Sequence, residues 1–305
     1  MSHGLQKLLR VERNTPDLDC ALGFYRDALG FAVTDADAPR PAWTRLPGLD
    51  CVPSRSAKLA LGTQHIFLTE FADGLPYPAD ATSCDLCFQH CAIVVSDMQA
   101  ACGRVMQFGV TPITQGGPQT LPPSTGSVTA FKFRDPDGHP LELIAFPAGV
   151  GDPAWQAPRG NTPTLGIDHT AISVGDVDRS IRFYALLGLQ VAARDVNHGM
   201  EQQRLDDLPC VAVDVVPMQG TSRTPHLELL AYRQPRGRTN ASSCVTALAA
   251  DRAAWRAQDI DVLLDALDAG GFASTIVASG FVAGATVALL RDPDGHLLVL
   301  EQARA

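Results

Sequence analysis

Two stretches of this 305-residue chain put the same six residues in front of different chemistry. Arg134 to Ile144 reads RDPDGHPLELI, and Arg291 to Glu301 reads RDPDGHLLVLE. Three places after the shared His, the first has Glu142 and the second Val299. A carboxylate there can ligate a metal or carry a proton; an isopropyl group can do neither. A second candidate cluster is CDLCFQHC, Cys84 to Cys91, whose CxxC offers two thiolates at zinc-binding spacing. No second CxxC closes a tetrahedral site, and Cys91 falls in an alternating apolar run where a thiol behaves as a small hydrophobe. The carboxylate carries more of the argument than the thiols.

The elements that would position such residues recur along the chain. DLDCALGFYRDALGF (Asp17 to Phe31) is echoed by DVDRSIRFYALLGL (Asp176 to Leu189), each with Phe-Tyr mid-helix and a closing Leu-Gly. DMQAACGRVMQFG (Asp97 to Gly109) and DIDVLLDALDAGG (Asp259 to Gly271) make a second pair. All four begin with Asp, a good N-cap, and space their apolar residues for a one-faced helix. Short alternating stretches precede each helix (LLRVERNTP, QHCAIVVS, DHTAISVG and DRAAWRAQ), and further short strands follow. Pro- and Gly-rich joints then divide the chain into modules at 1–75, 84–147, 165–233 and 250–303.

The FYRDALGF and RDPDGHPLELI signatures resemble those of the vicinal oxygen chelate superfamily, which includes glyoxalase I, extradiol dioxygenases and bleomycin-resistance proteins. The resemblance covers essentially the whole chain. It implies an α+β fold of four βαβββ modules pairing into two incompletely closed barrel cups. In metal-dependent members each module can offer a first-strand His, seven residues before the helix-opening Asp, and a last-strand Glu. Carried over, these positions are His90 and Glu142 in the second module and His169 and Glu228 in the third. The first and fourth modules hold Arg10 with Phe67 and Arg252 with Val299. Pairing of modules two and three would therefore collect four ligands in one cup, and pairing of one and four would leave a degenerate cup with none.

Two imidazoles and two carboxylates suit one divalent transition metal, Ni, Zn, Co, Mn or Fe. The resemblance then implies a glyoxalase-like lyase or isomerase, in which Glu142 or Glu228 moves a proton beside a carbonyl of a small substrate. An extradiol ring-cleaving dioxygenase is the main alternative; its two-His, one-Glu triad cannot come from the last two modules here. A metal-free ligand-binding protein, of the bleomycin-resistance kind, is the third. Arg10 and Arg252 could hold an anion, although internal pairing of both is favoured. Weaker substrate-contact candidates are Lys132, on the cup face if Phe131 and Phe133 face the core, and His198, Gln203 and Arg204 at the cup mouth. His226 shares a strand face with Glu228 and is a candidate to brace the ligands. His139 and His296 recur with and without ligands and should brace their turns.

Composition narrows the partners. A net charge of -9 and a pI near 5.3 argue against nucleic acid or an anionic membrane surface. No apolar run reaches membrane-span length, and MSHGLQKLLRVER lacks a signal-peptide core, so a cytoplasmic monomer or homodimer is expected.

Overall fold

The computed structural model describes residues 4–49, 51–156, 163–239 and 244–303. The first three residues of the first module, and stretches 157–162 and 240–243 of two joints, lie outside them. Helices Leu18–Asp27, Met98–Val105, Val177–Leu186 and Ile260–Ala269 start where the repeated aspartates place them. Each Asp accepts a hydrogen bond from the backbone N–H three residues on, at Cys20, Ala100, Arg179 and Val262. A further helix, Met200–Asp206, falls in the stretch read as a polar cup mouth. At seven residues it is too short for helical periodicity to stand out in the sequence.

Among the described residues the chain folds as α+β, with two large sheets and no closed barrel. One sheet has eight strands, drawn from residues 5–70 and 252–303; its middle is Leu5–Thr15 antiparallel to Arg252–Ala257. The other has ten, drawn from residues 89–145 and 164–234, around Gln89–Val95 antiparallel to Thr164–Ser173. Alternation sends Cys91, Ile93 and Val95 to a helix-side core with Leu18, Phe24 and Phe31. Ile172 and Val174 enter a second such core with Ile260 and Leu263. Segments one and two thus share one core and three and four another, whereas the sheets join one with four and two with three.

The repeated RDPDGH turn fastens these layers together. Asp135 Oδ1 accepts from the backbone of Asp137 and His139, and Asp292 Oδ1 from Asp294 and His296. Gly138 and Gly295 sit at φ of 92° and 100°, the left-handed region that excludes most side chains. Tyr25 and Tyr184, the tyrosines of the repeated Phe-Tyr, donate to Asp135 and Asp292 across the module boundary. Each turn's His then reaches the opposite sheet: His139 Nε2 is 2.8 Å from the Asn14 carbonyl and His296 Nε2 is 2.9 Å from that of Ser173. The two histidines therefore brace the joints between sheets.

His139 also faces Asp251 at 3.1 Å, and Asp251 faces Arg13 at the same distance, all three buried. Burial alone would lower the His139 pKa, but Asp251 and Asp135 outweigh it and hold it up at about 9. A folded-state pKa above the ordinary 6.5 stabilises fully below pH 6.5 and is lost as pH rises through about 9. Urea unfolding should thus show stability falling between pH 6.5 and 9, and His139→Gln should flatten that part of the profile.

Candidate metal centre

The register of the ten-stranded sheet decides which side chains meet. Across one row the Cα partners run Lys132, Glu142, Ala92, His169 and His226. Across the next, His90 is paired with Ala171 and Ala171 with Glu228. Each candidate His is thus separated from a candidate Glu by an alanine, and the two rows are related by the antiparallel pairing. The alanine methyls leave space over the strands where larger residues would fill it. Above them lies a cavity of about 730 Å³, lined among others by all four candidate ligands, Lys132 and His226. This is a size typical of small-molecule sites.

His90, Glu142 and His169 place one ligand atom each within 4.8 Å of one another, and all three are buried. Glu142 Oε2 lies 3.2 Å from His90 Nε2 and 3.5 Å from His169 Nε2. Neither nitrogen makes an aligned hydrogen bond, although both are buried. Buried polar atoms are nearly always partnered, so three ligand atoms converging without such bonds fit an ion between them. Glu228 stands further out, with Oε1 3.8 Å from His169 Nε2, and its side chain is more exposed than that of Glu142.

The electrostatics differ across the group. Burial pushes the His90 pKa down to about 4 and keeps its ring neutral, as ligation requires. Burial also opposes charge on His169, but Glu228, Asp168 and Glu142 outweigh it and hold that ring's pKa well above its ordinary value. Glu142 is buried too, yet the imidazoles and Lys132 hold its carboxyl well below the usual range. A divalent cation would compete with the His169 proton for these same carboxylates.

Asp168 was not anticipated from the sequence. Its Oδ2 lies 3.0 Å from His169 Nδ1, which leaves Nε2 of that ring facing the cavity. Trp155, from the joint between the second and third segments, donates to the other oxygen at 2.7 Å. Consecutive strand residues ordinarily point to opposite faces, so a residue adjacent to a ligand looks excluded. A register shift between Ile167 and His169 breaks that alternation and lets both side chains line the cavity. Gly166 admits the Trp155 ring, since a Cβ there would lie 2.7 Å from it.

Other expected residues fall elsewhere. Phe131 and Phe133 enter the helix-side core, and Lys132 lies on the cavity face. His226 packs beside His169 with ring centroids 5.4 Å apart, and burial lowers its pKa. Asp168, His169 and His226 also cluster closely enough for an ion, but His169 Nδ1 is already bonded to Asp168. His198 and Arg204 are exposed and do not line the cavity; the helix Met200–Asp206 turns Gln202 and Leu205 inward instead. Gln203 is spent on its own loop, accepting from the Cys210 N–H. The cysteines of CDLCFQHC separate into three different apolar clusters, with Cys91 in the helix-side core.

The equivalent rows of the eight-stranded sheet hold Arg10, Ala254 and Val299, and then Arg252, Glu12 and Phe67. Both arginines are spent internally. Arg10 bridges Glu12 and Glu301, and Arg252 bonds Asn14 and the Val245 carbonyl. Trp43, from the short helical turn Ala42–Arg45, lies 3.9 Å from the Arg252 guanidinium and donates to Glu12. With Leu46, Phe71, Val287, Leu289 and Val299 it fills this cup with an apolar core. Trp43→Ala should therefore open a cavity and cost about 3–5 kcal/mol in a denaturant titration, with cavity-side activity unchanged.

A family model described as the Glyoxalase/Bleomycin resistance protein/Dioxygenase superfamily matches residues 7–143 and 166–300. The chain belongs to that superfamily. It is 28% identical, over 182 residues, to a lactoylglutathione lyase of Arabidopsis thaliana. That alignment takes in 59% of this chain and 53% of the relative, about half the relative's length. The crystal structure of glyoxalase I from Zea mays superposes with a TM-score of 0.64 at 21% identity, covering 97% of this chain and 92% of that one. A crystal structure of a point variant of the maize protein gives 0.62 at 19% identity, with coverages of 98% and 95%. At those identities the structures establish the fold.

Proposed function

We propose that this chain is a divalent-metal-dependent enzyme of the glyoxalase kind, moving a proton between neighbouring carbons of a small substrate with vicinal oxygens. The observation that carries this reading is the convergence of the buried His90, Glu142 and His169 on one point at the cavity wall, with Glu228 beside them. These four residues would hold the ion, and Ni, Zn, Co, Mn and Fe all suit the donor set. When bound, such an ion supplies Lewis-acid stabilisation of charge on the substrate's adjacent oxygens.

The chain's own residues then divide the remaining work. Asp168 holds His169 in one orientation, and Trp155 holds Asp168. Glu142 is pinned between two imidazoles, whereas Glu228 stands off and is more open to the cavity. Glu228 is therefore the base: its carboxylate takes the C–H proton and returns it to the adjacent carbon, so no atom is gained or lost. Glu228 as an additional donor also leaves less room for the catechol and oxygen of an extradiol reaction. By its similarity to a lactoylglutathione lyase, the substrate to try first is the hemithioacetal of methylglyoxal and glutathione.

Purified protein should carry about one transition ion per chain by elemental analysis, the stoichiometry of a single site. Glu142→Gln is expected to lower that content sharply. Glu228→Gln should keep most of the metal and lose about 100-fold or more in kcat, the usual scale for a missing general base. Full turnover by metal-loaded Glu228→Gln would refute the base assignment. Failure of wild-type protein to turn over the hemithioacetal with any of the five metals would remove the glyoxalase reading.

A further inference from the structure

Lys132 is a buried cation in the wall of the metal-side cavity, at 3% exposure. Its row position is directly across the strands from Glu142. Taking an ammonium out of water is costly, and the Asp206 carboxylate at 2.7 Å offsets that cost. Asp206 is itself held, since Gln202 Nε2 donates to its other oxygen at 2.7 Å. An ammonium has three N–H donors, and Asp206 accepts one. Among the described residues the other two have no protein acceptor.

The simplest account is a structural strut tying the helix Met200–Asp206 to the strand Thr129–Arg134. That helix is already tied down by other bonds. Thr114 Oγ1 donates to the Leu205 carbonyl, the Gln115 N–H to that of Arg204, and Ser83 to that of Asp206. A buried ion pair is moreover a poor way to gain stability, because hydrocarbons of similar size serve as well or better. Gln202 Oε1 on this wall is also buried without an aligned hydrogen bond, while the Tyr232 hydroxyl is engaged with Asp206. A wall with spare donors and acceptors beside a ligand carboxylate is built for an oxygen-bearing ligand.

We propose that Lys132 Nζ, anchored by Asp206, donates a hydrogen bond to the substrate oxygen that gains negative charge as the C–H proton leaves. The inference rests on the proton-transfer reading above and deepens it. The ligand class it implies is a compound with two adjacent oxygens, one of them anionic or becoming so. Lys132 only donates a hydrogen bond; it transfers no proton. Burial works against its charge, but Asp206 and Glu142 outweigh it and hold its pKa up.

The test compares metal-loaded wild type with Lys132→Met by hemithioacetal kinetics and by calorimetric titration with acetohydroxamate, a chelator with two adjacent oxygens that is anionic once bound. The variant should keep wild-type metal content, lose about 100-fold in kcat with KM little changed, and bind acetohydroxamate at least about tenfold more weakly. Should Lys132→Met misfold around its unpaired carboxylate, the double variant Lys132→Met, Asp206→Leu removes both charges and should show the same losses. Retention of full kcat and acetohydroxamate affinity by either folded variant overturns the proposal. An active wild type with unaffected variants sinks this subsite and leaves the glyoxalase reading standing. Inactive wild type with Lys132-dependent acetohydroxamate binding does the reverse.

Discussion

The antiparallel pairing of Gln89–Val95 with Thr164–Ser173 is the constraint on which the candidate site depends. Opposite partners in an antiparallel pair share a face, so pairing His90 with Ala171 and His169 with Ala92 puts both imidazoles over the same side, with ring centroids 5.6 Å apart. The parallel neighbours then bring Glu142 beside Ala92 and Glu228 beside Ala171. A slip of one residue would turn every one of these side chains toward the helices. Helix-side packing prevents that slip, because Cys91, Ile93 and Ile172 occupy the opposite face of the same strands. The hydrophobic core therefore sets the register of the candidate site.

The same scaffold shows what happens when this row pattern is rewritten. In the eight-stranded sheet Glu12 takes one of the two places that alanines hold at the candidate metal centre, and Ala254 keeps the other. Its carboxylate reaches Arg10 and the Trp43 indole, and the open floor becomes an ion-paired plug. Arg252 is fully buried beneath that indole; burial lowers its pKa to about 10, so the guanidinium still carries its charge. Side-chain size and charge at two rows of a common sheet thus separate a cavity from a core.

Much of this was legible in the sequence because it rests on local rules. The four aspartate caps, the one-faced helices and the alternation of the His-bearing strands each follow from residues a few positions apart. Asp168 was not legible, since a bulge overrides the alternation that seemed to exclude it. Trp43 and Trp155 lie in four-residue helical turns too short to show a period, and only the folded chain shows what each one packs against. His198 and Arg204 were weak candidates on polarity alone, and both are exposed. The seven-residue helix that directs Gln202 and Leu205 inward carries Arg204 to the outer side.

The repeated turn outlasts the carboxylate that follows it because the two answer to different demands. Glu142 and Val299 each serve only their own cup. The RDPDGH residues tie a helix tyrosine, a sheet edge and a carbonyl of the other sheet into one joint. Each segment shares a sheet with one neighbour and a helix-side core with another, so the four close into a ring of contacts. Loosening the Asp292–His296 joint would release Ser173, at the end of the strand that carries His169. The segment without candidate ligands is in this way part of the support for the candidate site it does not line.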